Sequence, residues 1–511
     1  MKELIEDFKK DLPALYDMTE KFYRKEVSVN DYKAFSGGYG TYAQHGAEKS
    51  MLRLRLCGGH VTIKQLGFII QSIKKHHIDF LHFTTCQSIQ LHNLSGPAAC
   101  EIMEQAYDYD IITRGGGGDY PRNIMVSPLS GIDKEEYFDV YPYAKAAATY
   151  LLKSIKRVHM PRKLKVCFSN SAKNDTHPTF RDLGFVALPV GTFDVYSAGG
   201  LGNNPLLGLP VARGIEPGEI LYHIEAMLQT FITYGDYENR GKARSRYMQS
   251  KLGQEGYVQA YQTALAQVKN TKHLHISPEP VSINKTGIAR ELNNPRIVPQ
   301  KQTGLYYVTY HPIGGTPQID ELIGLYDVMK NIDSTELRVG PDETVYIINL
   351  TADEAEKIVA ATPRSAANIF ETSVSCVGNS ICQIGLQNSH ALLETVLAAV
   401  KPYEFKDGVL PRLHISGCPS SCGTHQIGDL GFRGGVKLVD KKPQPAFHVF
   451  VNGSENKNEE RFGTLLGLMA VPKIPKFLIA LGKKISEDQE LFATWYPKHE
   501  KEFLALIEQY L

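Results

Sequence analysis

The chain has 511 residues, 42% of them hydrophobic and 22% charged, which is the composition of a globular protein and excludes disorder as the main state. Lys and Arg number 56 against 55 Asp and Glu, a formal charge of +1; with no overall pull toward nucleic acid or an acidic membrane, an anion site must come from local clustering. Eight cysteines are too few for a disulfide scaffold of this length.

Residues 1–48 read as an N-terminal arm, helical first and then a Gly/Tyr-rich loop, SGGYGTY. The arm has no apolar h-region and so does not read as a secretory signal. The longest apolar runs, such as 206–211, are too short to span a bilayer. A cytoplasmic protein with no membrane and no nucleic-acid partner is expected.

The sequence then repeats itself. Residues 51–104 and 307–358 each alternate apolar residues, turn at a glycine pair, run at helical period and alternate again. Gly58-Gly59 matches Gly314-Gly315, and Asn93-Leu94 matches Asn349-Leu350, at one offset of 256. A second segment type follows each module. Pro161-Arg162 with RDLGFVA (181–187) and FDVYSAGG (193–200) are echoed by Pro411-Arg412 with GDLGFRG (428–434) and FHVFVNG (447–453). The order is A–B–A′–B′, a duplicated α/β pattern. Residues 276–302, rich in Pro and Asn, read as the linker between the halves. The last stretch, TWYPKHEKEFLALIEQYL, reads as a packing helix, and His76-His77 as a solvated helix end.

Cysteine spacing carries the strongest chemical signal. Cys376 and Cys382 are spaced C-x5-C, and Cys418 and Cys422 C-x3-C. Four thiolates suit an iron–sulfur cluster or zinc. Structural zinc favours shorter knuckles, and Ser375, Gly378, Ser380, Gly417, Ser420, Ser421 and Gly423 are small enough for backbone N–H groups to approach cluster sulfurs. Ordinary buried thiols are the bland alternative. Cys57, Cys86, Cys100 and Cys167 stand singly and read as small core residues.

Basic residues come next. Arg53 and Arg55 alternate on one expected strand, and Lys163 and Lys165 on another, so each pair shares a face. Arg122 follows the glycine run 115–118. Like charges on one strand face need solvent or an anion. Neither GGGG (115–118) nor GGLGNN (199–204) is a dinucleotide fingerprint, and no P-loop is present. Such loops are either plain turns or cradles in which backbone N–H groups hug a polyanion.

Together, the C-x5-C…C-x3-C pair, the GCPSSCG segment and the A–B–A′–B′ order resemble the sirohaem- and [4Fe–4S]-dependent sulfite and nitrite reductase family, from about residue 49 to the end. The resemblance implies an internally duplicated α+β fold, with two ferredoxin-like half-modules (49–118 and 303–365) and two sirohaem/Fe–S α/β domains (119–275 and 366–511) in pseudo-two-fold symmetry. By position, Cys376, Cys382, Cys418 and Cys422 match cluster ligands, and Cys422 would also bridge to the sirohaem iron. Arg53, Arg122, Lys163 and Lys165 match the basic residues of the distal anion site. Arg55, Gln90, His92 and Arg162 fall where the family contacts the macrocycle or its carboxylates. The loop Gly199-Gly200-Leu201-Gly202 and the pair Asn239-Arg240 also match family segments.

The resemblance implies six-electron reduction of sulfite to sulfide, with electrons from a ferredoxin or a separate reductase subunit, since no flavin or nicotinamide motif is present. Lys165 points to sulfite, because many nitrite reductases carry Asn there; nitrite reduction to ammonia is the alternative. Further alternatives are a precorrin-3B synthase-like oxygenase, disfavoured by the four basic residues, and a non-catalytic metal-binding module. The family commonly has Pro at Cys57 and Arg at Cys86, and often Asn within Pro419-Ser420-Ser421. Loss of the Arg removes one partner for a sirohaem carboxylate.

Overall fold

A computed structural model describes residues 2–439 and 441–511. The chain divides into two units. One runs to Gly200 and includes Asn204–Tyr310 and Pro317–Pro363; the other comprises Leu201–Asn203, His311–Thr316 and Arg364–Leu511.

The first unit opens with the arm helices α1 (Lys2–Lys9), α2 (Leu12–Tyr23) and α3 (Val29–Ser36). The first half-module follows as β1 (Thr41–Ala43), β2 (Ser50–Arg55), β3 (His60–Thr62), α4 (Ile63–His76), β4 (Leu81–Phe83), β5 (Ser88–Leu94) and α5 (Gly96–Ala106). Its sheet has the antiparallel order β1-β2-β5-β4. Thr62 and Gln65 form a reciprocal capping box that starts α4, satisfying backbone donors the helix leaves open.

Next come β6 (Met125–Val126), α6 (Tyr141–Ser154), β7 (Val166–Ser169), β8 (Leu183–Ala187), β9 (Phe193–Ser197), β10 (Leu209–Ile215), α7 (Ile220–Tyr234), α8 (Tyr247–Leu252) and α9 (Gln254–Thr271). The second half-module is β11 (Ile297–Pro299), β12 (Tyr306–Tyr310), α10 (Ile319–Met329), β13 (Glu336–Val339), β14 (Val345–Leu350) and α11 (Ala352–Ala361). Its sheet runs β11-β12-β14-β13 and ends on β3, borrowed from the first half-module through Leu337↔Val61. The two half-modules also share one core, in which Leu54, Ile69 and Leu91 join Val308, Leu325 and Ile347. At the junction Gly59 has φ +70, and a Cβ there would stand 2.6 Å from the Val339 carbonyl oxygen, so only glycine fits.

The second unit holds β15 (Val374–Ser375), α12 (Ser389–Val400), β16 (Leu413–Ser416), β17 (Leu430–Val439), β18 (Lys442–Val451), β19 (Thr464–Ala470), α13 (Ile474–Glu487) and α14 (Phe492–Glu508). Phe477, Trp495 and Phe503 are fully buried in its core, so the C-terminal helix packs as its pattern predicts.

The duplication is explicit in topology. In β6–β10 the first two neighbour pairs are parallel and the last two antiparallel. The sheet β15–β19 repeats that sequence of pairings. The fold is internally duplicated α+β. No helix among the described residues is long and apolar enough to cross a membrane.

One expectation about strand placement is corrected. Lys163 and Lys165 precede β7 rather than lying in it. Buried Leu164 makes a single bridge to Pro121, and the Lys165 backbone N–H leaves the ladder to donate to Asp182 Oδ2 at 2.8 Å. A carboxylate buried beside the chain captures the donor that sheet pairing would have used.

Candidate functional site

In the first unit, β2 and β5 place Arg53 opposite Gln90. With the Gln90 amide oxygen turned toward Arg53, it accepts from Arg53 Nη2 and Nε at 2.5 and 3.1 Å, and the amide nitrogen donates to His92 Nε2 at 3.2 Å. The hydrogen-bond network assigns that orientation. Burial holds the His92 imidazole well below its ordinary pKa, so it is neutral. Arg53 Nη1 also donates to the Gly116 carbonyl at 2.5 Å.

Arg122 forks onto the carbonyls of Gly116 and Gly118, both at 2.7 Å. Arg55 is buried and donates to the carbonyls of Arg114 and Arg122 at 2.7 and 2.8 Å. Burial first, then mutual repulsion, lowers Arg55 to about 9. Burial lowers Arg122 to about 10, and its Nε is buried with no hydrogen-bond partner among the described residues.

The glycine loops do not act as the N–H cradles considered from sequence. In the run 115–118 the carbonyls face arginines. The amides of Gly115, Gly116 and Gly118 donate to Gly38 O, Thr113 O and Tyr42 Oη. Gly199 and Gly200 likewise donate to Arg181 O and Leu206 O. These donors are taken up within the first unit, largely by acceptors distant in sequence, so the positive charge comes from side chains. Gly202 belongs to the second unit, where its N–H donates to Gln426 Oε1 at 3.0 Å.

Arg162 and Arg240 both bind Asp119 at 2.6 Å. Burial raises that carboxyl, but the two guanidiniums outweigh it and hold it below the ordinary range. Asn239 caps the turn by accepting from the Gly241 N–H at 3.1 Å. Lys163 and Lys165, both half-buried, flank Leu164.

Sequence reasoning missed three supports of this cluster. Asp182 is fully buried and takes Lys165 N, Arg244 Nη2 at 2.8 Å and Ser245 Oγ. Asp119 sat unnoticed beside the glycine run. Cys86, read as a small core residue, is instead half-buried, with its sulfur 3.2 Å from Lys165 Nζ. Its hairpin turn projects it from the apolar interior toward Lys165. The RDLGFVA/GDLGFRG repeat offered a signal for Asp182, since Asp429 stands at the matching position.

In the second unit Cys376 directly follows β15. Its sulfur accepts from the Gly417 N–H at 3.2 Å and lies 3.1 Å from Ser389 Oγ. Burial pushes this thiol up. Gly378 has φ +68, and added Cβ atoms would meet Ser389 N at 2.7 Å from Gly378 and Gln387 O at 2.6 Å from Gly417. Cys382 and Cys418 are half-buried and Cys422 is exposed. Buried Ser421 Oγ and both ring nitrogens of His425 have no hydrogen-bond partner among the described residues. Tetrahedral zinc would draw thiolate sulfurs to about 3.8 Å apart. Among the described residues, Asp488, His499 and Glu502 bring three ligand atoms within 4.8 Å of one another.

The model of the nitrite/sulfite reductase ferredoxin-like half domain matches residues 42–108, and that of the nitrite and sulphite reductase 4Fe-4S domain matches 117–269. Both matched segments are domain types of nitrite and sulfite reductases. It is 26% identical to the chloroplastic ferredoxin–nitrite reductase of Arabidopsis thaliana, over 80% of this chain and 72% of that protein. It is 23% identical to sulfite reductase [ferredoxin] 1 of Mycolicibacterium paratuberculosis, over 90% of this chain and 84% of that protein. The solved structure of the Mycobacterium tuberculosis NirA protein has the same fold, with a TM-score of 0.78 and 21% identity over 98% of this chain and 97% of that one. The matched 4Fe-4S segment holds Arg122, Arg162, Lys163, Lys165 and Cys167 but none of the four closely spaced cysteines. Those lie in the second copy of the same strand topology.

The family's cofactors, sirohaem and a [4Fe–4S] cluster, are therefore this chain's cofactors, and the residues present fit them. Buried, mutually repelling cations in the first unit, with an orphaned Arg122 Nε, suit a macrocycle bearing carboxylates. Four soft donors among N–H-rich small residues suit the cluster.

Proposed function

We propose that this chain catalyses the six-electron reduction of sulfite to sulfide, accepting electrons from a ferredoxin or a separate reductase subunit. The observation that carries this reading is the pair Lys163 and Lys165 on either side of buried Leu164, beside Arg53 and Arg122: several cations for one small, doubly charged oxyanion. Arg162 and Arg240 would pair with sirohaem carboxylates and Cys376, Cys382, Cys418 and Cys422 would ligate the cluster; when bound, these groups would supply electrons one at a time.

The side chains do the rest. Arg53 and Arg122 stay charged and bind oxyanion oxygens, stabilising negative charge as it grows. Both are fixed by carbonyls of the glycine run, so no reorganisation is needed. The three sulfite oxygens leave as water, which requires protons. Lys165, its pKa lowered first by burial, can give a proton to a leaving oxygen, which an arginine cannot. Lys163 adds charge at the same place.

Nitrite reduction to ammonia is the second reading, favoured by the Cys86–Lys165 contact, which partly occupies the cation that sulfite needs. Steady-state reduction of each anion by the holoprotein, with one low-potential donor and with sulfide and ammonium quantified, tests the choice. A higher kcat/KM for sulfite with full conversion supports the first reading; a strong preference for nitrite overturns it.

A further inference from the structure

Cys86 occupies the tip of the β4–β5 hairpin, and that tip is locked. Gln87, at φ +54, donates through Nε2 to the carbonyls of Val126 and Val339 at 2.8 and 2.9 Å, and its Oε1 accepts from Val126 N at 2.8 Å. Asn123 Nδ2 binds the carbonyls of Cys86 and Gln87 at 3.2 and 2.9 Å. The Cys86 N–H turns back on Thr84 Oγ1. On the other side, the Lys165 backbone is fixed to Asp182, which Arg244 and Ser245 hold in turn. Two anchored backbones thus present Sγ and Nζ to each other at 3.2 Å.

Cations predominate around the pair, with Asp182 as the carboxylate against the Lys165 backbone. Lys165, Lys163 and Arg181 act on the Cys86 sulfur, which in turn acts on Arg122. Arg181 and Arg244 repel Lys165. The nearby Cys167 thiol is pushed up by burial to about 12 and stays neutral. Burial opposes ionisation of Cys86, but these cations outweigh it and bring the thiol to about 6. At neutral pH the sulfur is a thiolate.

We propose that Cys86 is a positioning and specificity-determining residue: its sulfur holds the Lys165 ammonium in place and cancels one positive charge of the anion site, lowering the preference for doubly charged sulfite over singly charged nitrite. The proposal rests on the oxyanion-reductase reading above. It differs from the sequence argument in one respect: the number of lysines does not set the charge the substrate meets, because one lysine carries its own counter-ion.

The test uses full-length holoprotein in wild-type, Cys86→Ser and Cys86→Asp forms, assayed at one pH so that the anions' own protonation cancels. Removing one compensating charge at this range is expected to raise the ratio of sulfite to nitrite kcat/KM about tenfold in Cys86→Ser. The change should fall on KM for sulfite, and Cys86→Asp should return the ratio toward wild type. An unchanged ratio, or equal losses for both anions without rescue by Asp, overturns the proposal.

A second arm is independent of turnover. The rate of Cys86 alkylation, followed by peptide mass, is measured against pH in wild type and Lys165→Met. A midpoint near pH 6 that rises by more than one pH unit in Lys165→Met supports the pair. Alkylation only above about pH 8 in wild type, or no alkylation, overturns it. If wild type reduces neither anion yet passes the alkylation arm, the reductase reading fails and the pairing stands.

Discussion

Gln300 and Asn349 exchange two hydrogen bonds, Asn349 N to Gln300 Oε1 at 2.7 Å and Gln300 Nε2 to Asn349 Oδ1 at 3.1 Å. Gln44 and Asn93 do the same at 2.7 and 2.9 Å, at the same offset of 256 residues. Both asparagines are left-handed, at φ +58 and +61, a conformation that side chains other than Asn and Asp rarely tolerate. Each ends a central strand just before a helix. Asn93→Ala and Asn349→Ala are each expected to cost about 1–3 kcal/mol, combining backbone strain with a lost side-chain hydrogen bond, which is buried at Asn349. Thermal unfolding of the two single variants and the double variant checks this; an effect at one site alone would mean the two copies no longer carry equal loads.

Asp182 is the buried keystone under Lys165. Asp182→Ala leaves the Arg244 guanidinium and the Lys165 N–H without their acceptor. Breaking such a buried charge pair costs about 3–5 kcal/mol. Urea unfolding should show this loss, and KM for the oxyanion should rise as Lys165 loosens. A stability loss below about 1 kcal/mol would place Asp182 among ordinary surface ion pairs.

The Arg122 fork makes a sharper demand than charge alone. Arg122→Lys keeps the charge but cannot hold the Gly116 and Gly118 carbonyls with one planar group. We expect kcat/KM to fall about tenfold to a hundredfold, as one or two charge-assisted bonds are lost. Wild-type kcat/KM in Arg122→Lys would show that charge is all the site requires.

Each of the four cysteines is expected to be indispensable for cluster assembly. Serine at Cys376, Cys382, Cys418 or Cys422 should reduce non-haem iron and acid-labile sulfide per chain to a small fraction of the wild-type content. Serine variants of Cys57, Cys100 and Cys167 should keep both. Full iron in any of the first four would remove that residue from the ligand set.

Acid sensitivity has an assignable source. Burial depresses His223 to about 4 and His425 to about 3. Unfolded histidine takes up its proton near pH 6.5, while the folded chain resists protonation until those lower values. Below pH 6.5 the unfolded state therefore binds more protons, and stability falls as the pH drops toward 4. For His223 the loss between pH 7 and pH 4.5 is about 2 kcal/mol by linkage. The pH dependence of urea midpoints in His223→Gln should be shallower by that amount; an unchanged slope would mean that His223 is protonated in the fold.

The repeat was legible because its markers are residues with special backbone needs. Gly58-Gly59, Gly314-Gly315, Asn93 and Asn349 all sit at positive φ, and few residue types can hold such places. The four cysteines were legible because the chain brings each pair close by spacing alone. Other features depended on distant contacts. Cys86 meets Lys165 across 79 residues, and nothing local distinguishes it from Cys100 or Cys167. The glycine run was visible, but which of its polar groups face inward depends on partners distant in sequence. Lys163 and Lys165 alternate as strand residues would, yet a buried carboxylate captured the backbone and delayed the strand to Val166.

The strand β3 belongs by sequence to the first half-module and by pairing to the sheet of the second. A chain severed in the linker would leave Glu336–Val339 with an open edge, and would leave His60–Thr62 extended without a ladder. The duplicated halves are thus no longer two foldable copies joined end to end. Having traded an edge strand, neither can be transplanted without leaving an unpaired edge behind.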